Sequence, residues 1–210
     1  SDGTRMTRVA IIGAGISGLA CARQLVKAGV SVVVFDKGRG IGGRVATRRA
    51  GDLQFDHGAP FVRAQRDDFS ALLTSLTGGG SAASWTDDKR VTWTVGSPGM
   101  SAIPKAMGVG LDVRLGTQIL KVTADQFGWH LHYGETQYVA THIVVTVPKP
   151  QIAGLLDYAH PLVAQLGDVK MEPGLTLMAA VSGSAPLIAK NLSDDPLALI
   201  TCDSSKPSRP

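Results

Sequence analysis

Gly13, Gly15 and Gly18 stand in the spacing G-x-G-x-x-G directly after the apolar run Val9-Ala10-Ile11-Ile12. Asp36 follows 18 residues after Gly18, at the end of a second apolar run over 30–35. A set of this kind can hold the diphosphate of a dinucleotide. The first glycine permits a tight turn, the second lets backbone approach the pyrophosphate, and the third lets helix and strand pack closely. Unpaired N–H groups at the start of the following helix then face the phosphate. A carboxylate at Asp36 can accept hydrogen bonds from ribose hydroxyls, and charge-assisted bonds of that sort contribute roughly 1.5–3 kcal/mol each.

Bare glycine spacing is common in turns, so the surrounding elements decide the reading. Here strand, helix, second strand and terminal acid occur in order, which is the β-α-β context the phosphate site needs. A lipoprotein signal is the rival, since Arg5 and Arg8 precede an apolar stretch that reaches Cys21. Three glycines interrupt that stretch, and Gly18 stands where such signals favour a large aliphatic side chain. Ser1 to Arg5 are read as an addition ahead of Met6 and are left out of the fold. The first helix is expected over 13–28, with Leu19, Ala22, Leu25 and Val26 as its apolar stripe. Ser17 either meets a phosphate or caps that helix.

Further along, 37–51 is rich in Gly and Arg and reads as loop or irregular helix. A short strand entering a turn is expected over 53–59, and helices over 67–77, 100–107 and from Ile152 to Leu156. Strands are expected within 84–95 around a turn at 86–90. Three more, over 113–123, 129–133 and 138–147, form a meander, and two further strands follow over 175–181 and 197–201. The tail 203–210 reads as loop. Trp85, Trp93 and Trp129 fall in strand-like segments and are read as packing residues.

The bulk numbers exclude several classes. A 210-residue chain with 44% hydrophobic and 18% charged residues can bury a core, so a disordered chain is ruled out. No apolar run approaches the roughly 20 residues a membrane span needs. Cys21 and Cys202 lie too far apart for a disulfide framework and point to a reducing compartment. Cys21 is read as a small core residue of the first helix. With no leader recognised, the expected location is cytoplasmic. The net charge of +4 is not gathered into one basic run, so nucleic acid is not expected as a partner. Arg39, Arg44, Arg48 and Arg49 crowd the segment after the second strand, which suits an anionic cofactor or substrate.

That segment narrows the cofactor. Gly42-Gly43-Arg44 follows closely on Asp36. Paired glycines let main chain pass against a ligand, and arginine offers a planar donor set to phosphate or a flavin ring edge. Asp56-His57-Gly58-Ala59 then supplies a turn with little side-chain bulk. His57 is read as a hydrogen-bonded turn residue rather than an acid or base. His130 and His132 share a strand face, as a metal pair could, but lack a nearby carboxylate or thiol partner in sequence, and no metal is expected.

These motifs resemble the flavin-containing amine oxidase superfamily, and most closely its renalase-like branch. The resemblance rests on GAGISG, Asp36, GIGGRVATRR, FDHGAPF, GSPGMSAIPKAM, IVVTVPKPQ and SSKPSRP, which together run through nearly the whole chain. It implies an α/β fold: a doubly wound Rossmann-type FAD-binding domain, split by a second, mixed α+β substrate domain. The corresponding boundaries are 6–60 with 100–150 for the first and 61–99 with 151–210 for the second. It implies FAD as cofactor, with Gly13, Gly15, Ile16, Ser17 and Gly18 at the pyrophosphate and Asp36 and Lys37 at the adenosine ribose. Gly43 and Arg44 are then expected near the phosphates, His57, Gly58 and Ala59 beside the isoalloxazine, and the backbone of Ile119, in a strand, at the adenine. It also implies a C-terminal third beyond Pro210.

Three functions follow as expectations. The first is an FAD oxidase that takes hydride from a dihydronicotinamide dinucleotide and passes electrons to dioxygen, giving hydrogen peroxide. The second is an FAD-dependent oxidase of a small amine. The third is a non-catalytic dinucleotide-binding module for redox sensing or partner binding. Hydride transfer to flavin needs chiefly positioning, so no catalytic side chain is assigned.

Overall fold

A computed structural model describes residues 6–185, 187–192 and 196–210; Ser1 to Arg5, read as an addition ahead of Met6, lie outside them. In chain order the first half holds β1 (Arg8–Ile12), α1 (Ile16–Lys27), β2 (Ser31–Phe35), β3 (Thr47–Ala50), β4 (Leu53–Asp56), α2 (Asp67–Gly78), β5 (Ala82–Thr86), β6 (Thr92–Gly96) and α3 (Ala102–Gly108). The second half holds β7 (Asp112–Arg114), β8 (Lys121–Asp125), β9 (Gly128–Tyr133), β10 (Thr136–Ala140), β11 (His142–Val145), α4 (Lys149–Leu156), α5 (Pro161–Gln165), β12 (Ala189–Asn191) and β13 (Leu199–Thr201).

The chain divides into two compact units, Ser1–Gly43 with Met107–Gly174, and Arg44–Ala106 with Leu175–Pro210. In the first, a parallel sheet has the order β11-β1-β2-β7. Val9 to Ile12 and Val33 to Phe35 are all buried, the near-continuous apolar pattern of strands covered on both faces. An antiparallel meander, β8-β9-β10, belongs to the same unit. Its Val122, Leu131 and Ala140 join Ala10, Ile12, Val33 and Phe35 in one core, closed by Leu155 and Leu156 of α4. Phe35 meets Tyr138 edge-on at 5.3 Å between ring centres, a geometry that aromatic quadrupoles favour.

Two expected strands each prove to be two. The run 113–123 breaks at Gly116, whose φ of 62° and N–H bond to the Gly38 carbonyl (2.8 Å) turn the chain out of the parallel sheet and into the meander. The run 138–147 breaks at Thr141, the single residue between β10 and β11. There Thr141 Oγ1 donates to the Arg8 carbonyl (2.8 Å) and accepts from the Arg8 N–H (2.9 Å). Apolar residues resume shortly after each break, so composition alone cannot show a change of partner.

The second unit is built of hairpins, β3-β4, β5-β6 and β12-β13, with α2 beside β5. Trp85 is buried there, and Phe61 stacks on Trp93 at 4.2 Å and on Trp85 at 6.0 Å. The segment 175–181 forms no strand; Leu175 is 99% exposed, and no described segment pairs with it. Asp203–Ser205 is a 3-10 turn rather than open loop. Relative to the expected boundaries, 44–60, where β3 and β4 pair with each other, and 100–106 fall in the second unit. Residues 151–174 fall in the first, because α4 packs on β8. No helix among the described residues is long and apolar enough to cross a membrane.

Leu131 is fully buried at the centre of the meander. Leu131→Ala should lower stability by about 2–5 kcal/mol, the range for a leucine deleted from a tight core, as read by urea denaturation followed by circular dichroism.

Candidate functional site

Each of the β1-α1 and β2 loops has a reason to sit where it does. Gly13 has φ 112°, a backbone region that disfavours any side chain, and its N–H donates to the Phe35 carbonyl (2.8 Å). A Cβ at Gly18 would collide with the Gly13 carbonyl oxygen, so helix and loop can meet only through glycine. A Cβ at Gly15, by contrast, would meet nothing within 4 Å. The chain therefore leaves free space over the middle glycine and none at the other two.

Helix α1 starts immediately after Gly15, which caps it without any side-chain hydrogen bond, and its first turn carries no acid. Its leading N–H groups have no intrahelical acceptor. Ser17 does not cap the helix, in contrast to one sequence reading, because Gly15 already occupies that position. Free amides, the positive end of the helix dipole and open space above Gly15 together fit a phosphate group.

Asp36 closes the loop from the other side. Its Oδ2 accepts from the Ala14 N–H (2.6 Å) and its Oδ1 from the Gly38 N–H (2.7 Å). Each oxygen retains a further lone pair, so the carboxylate can still receive a ribose hydroxyl. The loop after β2 returns over the glycines. Gly42 N–H donates to the Ala14 carbonyl (3.0 Å), and a Cβ at Gly43 would lie 3.4 Å from Gly15 Cα. Lys37 reaches Gln151 of α4 through its Nζ (3.1 Å). Ile119 is buried in the meander core but lies in the link between β7 and β8 rather than in a strand.

Thr146 was not singled out in the sequence. Its hydroxyl lies 3.0 Å from the Ile12 carbonyl and 3.1 Å from that of Gly13, bracing the turn from the end of β11. The only signal available was its place between the apolar run 143–145 and Pro148.

Arg44, His57, Gly58 and Ala59 belong to the second unit and are brought together there. The Arg44 carbonyl accepts from the Ala59 N–H (2.9 Å), and a Cβ at Gly58 would strike that same carbonyl. The His57 side chain departs from the hydrogen-bonded turn residue expected: its Nδ1 is buried and has no hydrogen-bond partner among the described residues. Beside it, Asp56 gathers an unexpected cluster. Its Oδ1 accepts from the Met100 N–H (2.9 Å) and from Thr47 Oγ1 (2.7 Å). Its Oδ2 takes Lys206 Nζ (3.1 Å) and Arg209 Nη2 (2.6 Å). Asp203 pairs with Lys206 and accepts from the Asp56 N–H (2.9 Å). Burial opposes the Asp56 charge, but the Met100 amide, Lys206, Thr47 and Arg209 together hold its pKa below the ordinary carboxylate value.

His130 and His132 do share a face, with ring centres 6.4 Å apart. Their nitrogens turn to different neighbours, Nε2 of His130 to Asp125 (2.9 Å) and Nε2 of His132 to Thr123 (2.8 Å). Cys21 and Cys202 are both half-buried and unpaired thiols.

Comparison with known proteins agrees with this geometry over the same stretch. Residues 11–76 match the family of NAD(P)-binding Rossmann-like domains. Over that stretch the chain is similar to Rossmann-like dinucleotide-binding domains. Over 68 residues, 32% of this chain and 15% of the relative, it is 40% identical to the flavin-containing monoamine oxidase AofH of Mycobacterium tuberculosis. Over 69 residues it is 36% identical to protoporphyrinogen oxidase 2 of Arabidopsis thaliana, covering 33% of this chain and 14% of that one. The matched stretch thus spans about a seventh of these relatives' length. The structure of cyclohexylamine oxidase from Brevibacterium oxydans superposes with a TM-score of 0.64 at 17% identity, covering 77% of this chain and 63% of that one. That likeness is one of fold. The two relatives matched over this stretch are thus a flavin-containing monoamine oxidase and a protoporphyrinogen oxidase.

Two outcomes follow. Thr146→Val, which removes the brace on the glycine turn, should lower stability by about 1 kcal/mol in denaturant titration. Because the folded pKa of Asp56 lies below its unfolded value, its contribution is complete above the ordinary carboxylate pKa. That contribution is lost as pH falls through the folded value. Thermal melts of wild type should therefore drop on acidification more steeply than those of Asp56→Asn.

Proposed function

We propose that this chain supplies the FAD-binding portion of an FAD-dependent oxidoreductase. The observation behind the reading is the phosphate cradle: uncapped amides of α1, open space over Gly15, and Asp36 tied across the loop. In this reading Gly13, Gly15, Ile16, Ser17 and Gly18 hold the pyrophosphate, while Asp36 and Lys37 serve the adenosine ribose. Gly43 and Arg44 serve the phosphates, Ile119 contacts the adenine through its backbone, and His57, Gly58 and Ala59 serve the isoalloxazine. When bound, FAD supplies the capacity to accept hydride from an organic donor and return the electrons to dioxygen as hydrogen peroxide. The residues here bind and orient. The glycine turn fixes the diphosphate and Asp36 fixes the ribose, so the remote part of the cofactor anchors its reactive end.

For the hydride donor, a dihydronicotinamide dinucleotide is the first reading. It is supported by the motifs DHGA, PGM and SSKP, which in the fold converge on Asp56 through Met100 and Lys206. Arg48 and Arg49 of β3 are exposed and add positive charge suited to a phosphate-bearing substrate. A small amine is the second reading, supported by the names of the monoamine oxidase and cyclohexylamine oxidase to which the chain is similar.

The expected outcome is that the purified protein quenches FAD fluorescence on titration, and that Gly15→Val weakens this binding at least tenfold, or about 1.4 kcal/mol. A wild-type protein that does not quench, or a Gly15→Val variant that quenches equally, overturns the cofactor reading. Anaerobic bleaching of the flavin by dihydronicotinamide dinucleotides, and not by primary amines, then selects the first donor. The reverse pattern selects the second.

A further inference from the structure

The Asp56 cluster is far denser than a hairpin end requires. Four donors converge on one buried carboxylate, and two of them come from residues 150 and 153 positions later in the chain. The side chains of Asp56 and Lys206 are 0% exposed and that of Arg209 is 1% exposed. Asp56 and Asp203 balance Lys206 and Arg209, so the loss of any one of the four leaves a net charge. Arg209 Nη1 also donates to the Gly96 carbonyl (2.8 Å), and Lys206 lies 5.7 Å from the centre of a Trp85 ring. The C-terminal segment is thereby locked to β4.

What β4 leads into is the turn His57-Gly58-Ala59. Gly58 and Ala59 are fixed on one side by the Arg44 carbonyl. His57 Nδ1 has no hydrogen bond of its own among the described residues. On its N-terminal side His57 is joined directly to Asp56, the residue that the cluster holds. We propose that Lys206 and Arg209 are positioning residues that act through Asp56 to set the His57 ring, the group assigned above to the isoalloxazine. The claim rests on that assignment only for its functional meaning; the link from Lys206 to His57 runs through the Asp56 carboxylate and the peptide bond that joins Asp56 to His57.

The experiment observes His57 directly. Histidine ring resonances of the whole chain are recorded by NMR for wild type, Lys206→Met, Lys206→Arg, Asp56→Asn and the double variant, with His57→Asn identifying the signal. Lys206→Met keeps the length of the stem but leaves Asp56 undercompensated. The His57 signal should move by more than its linewidth in Lys206→Met and return in Lys206→Arg. The double variant should resemble Asp56→Asn alone, since Lys206 works through Asp56. Should Lys206→Met not fold, Arg209→Lys with Arg209→Gln provides the same comparison. An unmoved His57 signal in a folded Lys206→Met or Arg209→Gln protein overturns the proposal, as does simple additivity in the double variant. FAD titration of the same proteins separates the two claims. Wild type that fails to bind FAD defeats the cofactor reading and leaves the His57 result standing. Wild type that binds should keep its affinity within threefold in Lys206→Met while its flavin absorption band shifts.

Discussion

A helix that begins without a capping side chain must satisfy its leading amides elsewhere, and that constraint organises the first unit of this protein. Gly15 offers no oxygen to the first turn of α1. Asp36 takes the amide one residue earlier, at Ala14, and that of Gly38 within its own loop. One carboxylate thus holds two loops in register and leaves the helix end itself unspent. A Ser, Thr or Asp at the cap would have given a more self-sufficient helix with fewer free amides at its start.

The second unit meets a different constraint, the burial of charge. A carboxylate removed from water is tolerated only when its lone pairs are filled and its charge opposed. Asp56 meets both conditions, but the groups that do so come from β3, from the start of the α3 segment and from the end of the chain. Three motifs that look independent along the sequence are therefore one electrostatic unit in space. None of them can be altered without leaving a partner uncompensated.

Much of this was legible in the residues. The glycine spacing, the first β-α-β crossing and the helix over α2 follow from local pattern, because each is decided by neighbours within a few turns of chain. Of the two roles the sequence allows Ser17, the cap falls away because Gly15 already serves, and the sequence does not show which residue starts the helix. Thr146 and the Lys206–Asp56 pair were invisible for a plainer reason. Their partners lie more than a hundred positions away, and no periodicity encodes a contact of that range. The segment 175–181 has the composition of a strand, but composition does not supply a neighbour to pair with.

The passage of the chain through Thr141 has a consequence for how this fold can vary. A single residue separates the last meander strand from an edge of the parallel sheet, and it is bonded on both sides to Arg8. Side chains alternate strictly between faces on each strand. Adding or removing one residue at this junction would invert the inward set of one sheet relative to the other, exposing either Ala140 or the row beginning at Ile143. This crossing fixes the phase of both sheets. Length variation among sequences with this architecture is for that reason expected to avoid it.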